Sequence, residues 1–142
     1  MKSIVLIMFI CSSVLAVDYD SYLKSQANMT YEKSQFDFIK EKLKRSFNDL
    51  CGDTYCEGDY DQIIPQDLAC ELDAETKMIT SCSWSFDASN DETSMFYNCR
   101  FEVSQSASTF FRKLEASDLE SILTKNVLPQ KKSINDVLLN CL

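Results

Sequence analysis

The chain has 142 residues, of which 14 are Lys or Arg, 22 are Asp or Glu and none is histidine, giving a formal net charge of −8 at pH 7. The lack of histidine excludes Ser–His–Asp and Cys–His nucleophiles and imidazole-bound zinc. An acidic chain is also a poor partner for nucleic acid or an anionic membrane, since both are bound through Lys and Arg. We therefore expect no nucleic-acid partner and no cofactor, and we favour a binding protein over an enzyme.

Residues 1–16 have the organisation of a secretory signal peptide. Lys2 precedes a short apolar run, and Val14 and Ala16 stand at the two positions that signal peptidase inspects. The apolar run is too short to span a bilayer, so no membrane insertion is expected. The sequence predicts cleavage between Ala16 and Val17, a single domain over 17–142, and a secreted or periplasmic location.

Six cysteines follow the predicted signal peptide, which itself contains Cys11. They are Cys51, Cys56, Cys70, Cys82, Cys99 and Cys141. An even number of cysteines in an exported chain indicates a disulfide framework.

Apolar residues spaced by three and four predict an amphipathic helix from about 32 to 51. They are Phe36, Ile39, Leu43, Phe47 and Leu50. Gly52 follows directly and is expected to close the helix in a left-handed conformation. The apolar residues between positions 22 and 31 either extend this helix or form a separate short one.

Three segments alternate between apolar and polar residues, which is typical of antiparallel strands with one solvated face. The segments are 67–73, 78–86 and 96–103. Their predicted buried faces are Leu68, Cys70 and Leu72; Met78, Cys82, Trp84 and Phe86; and Tyr97, Cys99, Phe101 and Val103. The segment from Phe110 to Leu114 is a candidate fourth strand.

The predicted hairpins set the strand register and, with it, the disulfide pairing. A turn about Thr76 places Cys70 opposite Cys82, and a turn about Asn90 and Asp91 places Cys82 opposite Cys99. Position along the elements favours the bridges Cys51–Cys56, Cys70–Cys82 and Cys99–Cys141. The main alternative pairs Cys82 with Cys99 and joins Cys70 to the 51–56 loop.

The C-terminal part is predicted to be helical. Ser117 and Glu120 fit a capping box, and Pro129 would end the helix that they begin. Ser133 starts a further turn, after which the apolar positions Ile134, Val137, Leu138 and Cys141 share one face. The expected fold class is α+β, with an N-terminal helix, a three- or four-stranded antiparallel meander, and C-terminal helices packed on one sheet face.

Both glycines of the chain lie in the segment 51–60, between the predicted helix and the first strand. One interpretation is a cross-linked elbow that turns the chain from helix to sheet. The other is a loop that binds a cation through the carboxylates Asp53, Glu57, Asp59 and Asp61. The EF-hand spacing is not present, and one C-x4-C pair lacks the usual zinc-ligand pattern.

The same segment carries a resemblance. The run Cys-Gly-Asp-Thr-Tyr-Cys-Glu-Gly-Asp-Tyr, followed by Leu68-Ala69-Cys70, is similar to uncharacterised exported proteins of Gram-negative bacteria that share C-G-D-x-x-C-E-G-D followed by Tyr or Phe. The resemblance covers about residues 47–82. It implies a periplasmic or secreted bacterial protein and carries no activity with it.

These observations favour a non-enzymatic, disulfide-stabilised binding module whose partner is a protein or a small ligand. The alternatives are a carboxylate-dependent envelope hydrolase and a calcium-stabilised structural protein using the 51–61 loop. The acid pairs available to a hydrolase are Glu71 with Asp73 and Asp59 with Asp61. Trp84, Phe86 and Phe101 form either the core or the floor of a ligand groove, the core being favoured. Asn28-Met29-Thr30 is a glycosylation sequon, relevant only in a host that glycosylates.

Overall fold

The structure is a computed structural model that describes residues 15–54, 58 and 60–142, without the side chains of 52–54. Within this part of the chain, four α-helices and four strands follow one another, with a short 3₁₀ turn before the last helix. In chain order they are β1 (Ala16–Asp18), α1 (Tyr19–Ser25), α2 (Thr30–Thr54), β2 (Gln62–Asp73), β3 (Met78–Ser89), β4 (Ser94–Ser106), α3 (Ala107–Glu115), the 3₁₀ turn (Pro129–Lys131) and α4 (Ile134–Cys141).

The strands form one antiparallel sheet in the order β1-β2-β3-β4. Each strand pairs with its neighbour in sequence, so the sheet is a meander, and the α+β class is confirmed. The short strand β1 lies at one edge of the sheet and is the one that the sequence did not predict. It pairs with β2 through Val17 and Leu72 and through Asp18 and Glu71. The predicted cleavage position between Ala16 and Val17 therefore lies inside a strand.

The segment from Phe110 to Leu114 is not a strand, and this prediction was wrong. It belongs to α3, whose N-terminus is capped by Ser106, because the Ser106 hydroxyl accepts a hydrogen bond of 3.2 Å from the Thr109 amide. Phe110, Phe111 and Leu114 are all buried. Their spacing of one and four residues places them on one side of a helix.

The register confirms one predicted pairing and corrects another. Cys70 lies opposite Cys82 as expected, but Cys82 faces Phe101 and Cys99 faces Trp84. The β3–β4 turn is centred one residue later than predicted, between Asp91 and Glu92, and the Asn90 side chain stabilises it by accepting from the backbone amides of residues 92 and 93. A two-residue offset leaves each side chain on its predicted face.

A bulge near the start of β3 changes which of its residues is buried. The pairing with β2 passes from Glu71 opposite Ser81 to Leu72 opposite Ile79, so β3 has one extra residue there. Ile79 is fully buried, while Met78 is only half-buried. The prediction that Met78 belongs to the buried face was therefore wrong. One inserted residue reverses the alternation on its N-terminal side.

Helix α2 is longer than predicted and packs its apolar stripe into the core. Phe47 contacts Trp84 and Phe86 with ring centroids 5.8 and 4.9 Å apart. Trp84, Phe86 and Phe101 are buried, so they form core rather than a groove floor. The helix continues through Gly52 to Thr54, so the expectation that Gly52 closes it was wrong.

The C-terminal segment is helical only in part. The Ser117 hydroxyl donates to the Lys113 carbonyl at 2.7 Å instead of capping a new helix, and residues 119–124 form turns. Ser133 does begin α4, as predicted. Its hydroxyl accepts from the Asp136 amide, and its own amide donates to the Asp136 carboxylate at 2.7 Å.

Two disulfides lie within the described residues: Cys70–Cys82, which joins β2 to β3, and Cys99–Cys141, which joins β4 to α4. These are two of the three favoured pairs. Cys51 is also disulfide-bonded. Its predicted partner Cys56 lies outside the described residues, so the Cys51–Cys56 pairing stays a prediction.

Candidate functional site

A cavity of about 350 Å³ lies where α1, the start of α2, the β2–β3 turn and the start of α3 meet. Its lining combines aromatic and apolar side chains with a polar and charged rim. The lining residues are Tyr19, Tyr22, Met29, Tyr31, Glu32, Gln35, Leu72, Lys77, Ser106, Ala107, Ser108 and Arg112.

Tyr19 forms the inner wall of this cavity. Asp18 fixes the start of α1, because its carboxylate accepts from the Ser21 amide at 2.8 Å. The Tyr19 ring that follows stacks on Phe111 at 4.9 Å and meets the edge of Phe36 at 5.2 Å. Only 3% of Tyr19 is exposed, so three helices hold its ring in one place.

The Tyr19 hydroxyl makes no hydrogen bond with any other residue of the ranges 15–54 and 60–142. Burial, together with smaller electrostatic effects of Glu32 and Tyr22, raises the pKa of Tyr19 to about 12. The phenol therefore stays protonated at physiological pH. The hydroxyl borders the cavity, where a ligand that accepts a hydrogen bond can pair with it.

Lys77 covers the Tyr22 ring from the β2–β3 turn, with its ammonium 4.7 Å from the ring centroid. The turn that carries it is tight. Lys77 has a positive φ of 58°, and its amide donates to the Asp73 carbonyl at 2.9 Å. The Asp73 carboxylate accepts from the amides of Glu75 and Thr76, which lowers its pKa. These bonds position Lys77 at the cavity.

A hydrogen-bond network joins α2 to α3 along another wall. The Gln35 amide donates to Glu115 Oε2 at 2.6 Å, and the Tyr31 hydroxyl donates to the same oxygen at 3.1 Å. The bond to Glu115 raises the pKa of Tyr31. Lys42 Nζ donates to the Glu115 carbonyl at 2.9 Å and to the Ser117 carbonyl. The Glu115 carboxylate is thus already engaged beside the cavity.

Arg112 lies on the exposed rim. Its guanidinium forms no ion pair or side-chain hydrogen bond with another residue of the described ranges. The charged side chains that line the cavity are Lys77, Arg112 and Glu32, so cations outnumber acids there although the whole chain is acidic.

Of the four carboxylates in the candidate cation loop, the structure describes only that of Asp61. Glu57 and Asp59 lie outside the described residues, and the side chain of Asp53 is not described. Asp61 is exposed. Across positions 15–54, 58 and 60–142, no group of three or more Cys, Asp or Glu could hold a metal ion. The cation-loop hypothesis stays a prediction.

The candidate acid pair on β2 has other partners. Glu71 accepts from the Ser81 hydroxyl and forms an ion pair with Arg100, both at 3.1 Å. Asp73 stabilises the β2–β3 turn, and its pKa is lowered rather than raised. A general acid held in an apolar site has a raised pKa, whereas the pKa of Asp73 is shifted the other way.

Sequence reasoning did not identify the cavity. In the sequence, Tyr22 and Tyr31 fit the apolar positions of a helix, and Arg112 lies in the segment that was predicted to be a strand. The available signal was the aromatic density before α2, where Tyr19, Tyr22 and Tyr31 fall within one short stretch.

No protein-family model matches this chain, and neither the curated proteins nor the solved structures gave a match. The described part of the chain contains no helix that is long and apolar enough to cross a membrane.

Proposed function

We propose that the protein is an exported, disulfide-stabilised binding module and that the cavity beside Tyr19 is its ligand site. The observation that carries the proposal is a buried phenol with an unpaired hydroxyl in the wall of a cavity of about 350 Å³. Ligand sites typically combine an apolar lining, a few directed polar groups and a volume of roughly 300–1,000 Å³. This cavity has all three properties.

The disulfides support the exported location. Cys70–Cys82 and Cys99–Cys141 persist most readily in oxidising compartments, and the predicted signal peptide supplies the route. The hydrolase alternative has less support, because Glu71 is ion-paired and Asp73 is bound by turn amides. The calcium-stabilised alternative depends mainly on side chains outside the described part of the chain.

The proposal is tested with a neutral aromatic probe, 2-naphthamide. We expect it to shift the methyl NMR signals of Met29 and Ala107, which line the cavity, and to leave distant methyl signals unchanged. Ala107→Leu should weaken binding, because the larger side chain occupies part of the cavity. Ala27→Leu is the matched control, since Ala27 is exposed in the α1–α2 turn and does not line the cavity.

Circular dichroism of both variants would establish that they fold. The proposal is overturned if neither 2-naphthamide nor its charged analogues shift the cavity signals. It is also overturned if a folded Ala107→Leu variant binds the probe as tightly as the unaltered protein does.

A further inference from the structure

The cavity carries a charge distribution that restricts its ligand. Lys77 reaches it from the β2–β3 turn and Arg112 from α3. In a chain with a net charge of −8, two cations against the one acid Glu32 give the lining of this cavity a net positive charge and a field of the opposite sign. Such a field favours an anionic ligand.

Several basic side chains on the surface are paired with acids. Arg100 is paired with Glu71, Lys24 with Asp20, and Lys44 with Glu41. Arg112 forms no such pair within the described residues. A guanidinium without a carboxylate partner can bind a carboxylate through two parallel hydrogen bonds.

The inner wall points to the same ligand chemistry. The Tyr19 hydroxyl stays protonated and can donate, and a carboxylate accepts without donating. The rings of Tyr19 and Tyr22 and the side chains of Met29 and Leu72 provide apolar surface beside it. The opposing charges are Glu32 in the lining and, beside it, the Glu115 carboxylate, whose Oε2 accepts from Tyr31 and Gln35.

We infer that the cavity binds a small amphipathic anion, an aryl or short alkyl carboxylate. Its apolar part packs against the rings of Tyr19 and Tyr22, and its carboxylate accepts from the Tyr19 hydroxyl and from Arg112 and Lys77. This inference rests on the proposed function and specifies the ligand class of the same site.

Three probes of nearly equal shape and different charge test the inference: 2-naphthoate, 2-naphthamide and 2-naphthylmethylammonium. The dissociation constant of each is measured at neutral pH from the Met29 methyl shift and by calorimetry. We expect 2-naphthoate to bind about fivefold tighter than 2-naphthamide. This is the gain in affinity that two partly exposed ion pairs typically give. The preference should shrink at high salt, because exposed charges are screened.

Arg112→Gln and Lys77→Gln should each weaken 2-naphthoate binding by about two- to threefold and weaken 2-naphthamide binding less, because the amide carries no charge. Lys113→Gln is the matched control. It removes the same charge one residue along α3, and Lys113 does not line the cavity. It should change neither affinity.

The outcomes separate this inference from the proposed function. If 2-naphthamide binds in the cavity and 2-naphthoate binds no tighter, the anion preference is wrong and the binding module stands. If 2-naphthylmethylammonium binds most tightly of the three, the inference is also wrong. That result would show that the negative charge of Glu32 determines which ligand binds. If none of the three probes shifts the Met29 signal, both proposals fail.

Discussion

Tyr19 shows how one residue can serve both the core and a site. Its ring stacks on Phe111 and is almost fully buried. Its hydroxyl finds no partner among the described residues, although burial of a phenol normally comes with a hydrogen bond. The ring therefore packs in the core, while the hydroxyl is available to a ligand in the cavity.

Tyr19→Phe should change the free energy of unfolding by less than about 1 kcal/mol, because it keeps the packed ring and removes a hydroxyl that has no partner among the described residues. The same variant should bind 2-naphthoate more weakly, since it loses a donor. Urea unfolding and calorimetry measure the two effects. Tyr22→Phe is the control for stability, as Tyr22 is only half-buried. A larger loss of stability in Tyr19→Phe would show that the hydroxyl has a structural partner.

The sequence predicts the individual elements well where the pattern is long. The stripe Phe36, Ile39, Leu43 and Phe47 is buried along α2, and the alternation in β2 and β4 correctly identifies their buried faces. The capping box at Ser133 fixes α4. Short apolar runs are ambiguous, which is why α3 was mistaken for a strand.

Three errors have local physical causes. The bulge in β3 depends on one extra residue that alternation alone does not reveal. The β3–β4 register depends on hydrogen bonds that the Asn90 side chain accepts from the backbone amides of residues 92 and 93. The Ser117 hydroxyl donates to the Lys113 carbonyl instead of capping a helix. A sequence that matches a capping box therefore does not guarantee a capped helix.

The cap of α4 gives a pH-dependent prediction. Hydrogen bonds from the Ser133 amide and hydroxyl lower the pKa of Asp136. A lowered pKa contributes stability above the ordinary carboxyl value of about 4, and this contribution is lost as pH falls through the lower folded value. Asp136→Asn should therefore lower the thermal midpoint at pH 7, and the difference should shrink between about pH 5 and pH 2.

Asp91→Asn is the control for this experiment, because Asp91 is an exposed carboxylate of the β3–β4 loop. It removes the same charge without removing a cap. An Asp136→Asn midpoint that stays below that of the unaltered protein by the same amount at every pH would contradict the electrostatic origin of the effect.

At the scale of the whole molecule, the cavity could not be read from the sequence because its walls come from distant parts of the chain. Tyr19 begins α1, Lys77 lies in the β2–β3 turn, and Arg112 belongs to α3. No short motif links these positions. The fold alone brings them together, so the site follows from topology rather than from spacing.

The two described disulfides should contribute unequally to stability. They join residues 12 and 42 positions apart, and chain entropy gives about 3 kcal/mol for the shorter loop and about 4 kcal/mol for the longer. Replacing both Cys99 and Cys141 by Ala should therefore lower the free energy of unfolding more than replacing both Cys70 and Cys82. Urea unfolding under non-reducing conditions measures this difference, and the reverse order would contradict the entropic explanation.

The predicted signal cleavage can be tested on the exported protein. We expect secretion by a suitable host to give a chain that begins at Val17, and intact mass spectrometry measures this directly. The pairs Val17–Leu72 and Asp18–Glu71 of β1 would be retained, so the sheet edge beside Tyr19 should survive cleavage. A secreted chain whose mass includes residues 1–16 would show that the cleavage prediction is wrong.

The Cys99–Cys141 bridge also determines what a protease can remove. The segment that it encloses contains all of α3, and with it Arg112 at the rim of the cavity. A single backbone cut between the two cysteines leaves both pieces covalently joined, and the buried rings of Phe110 and Phe111 hold α3 against the core. A protein nicked there would separate into fragments only after reduction, and until then it would keep its cavity wall.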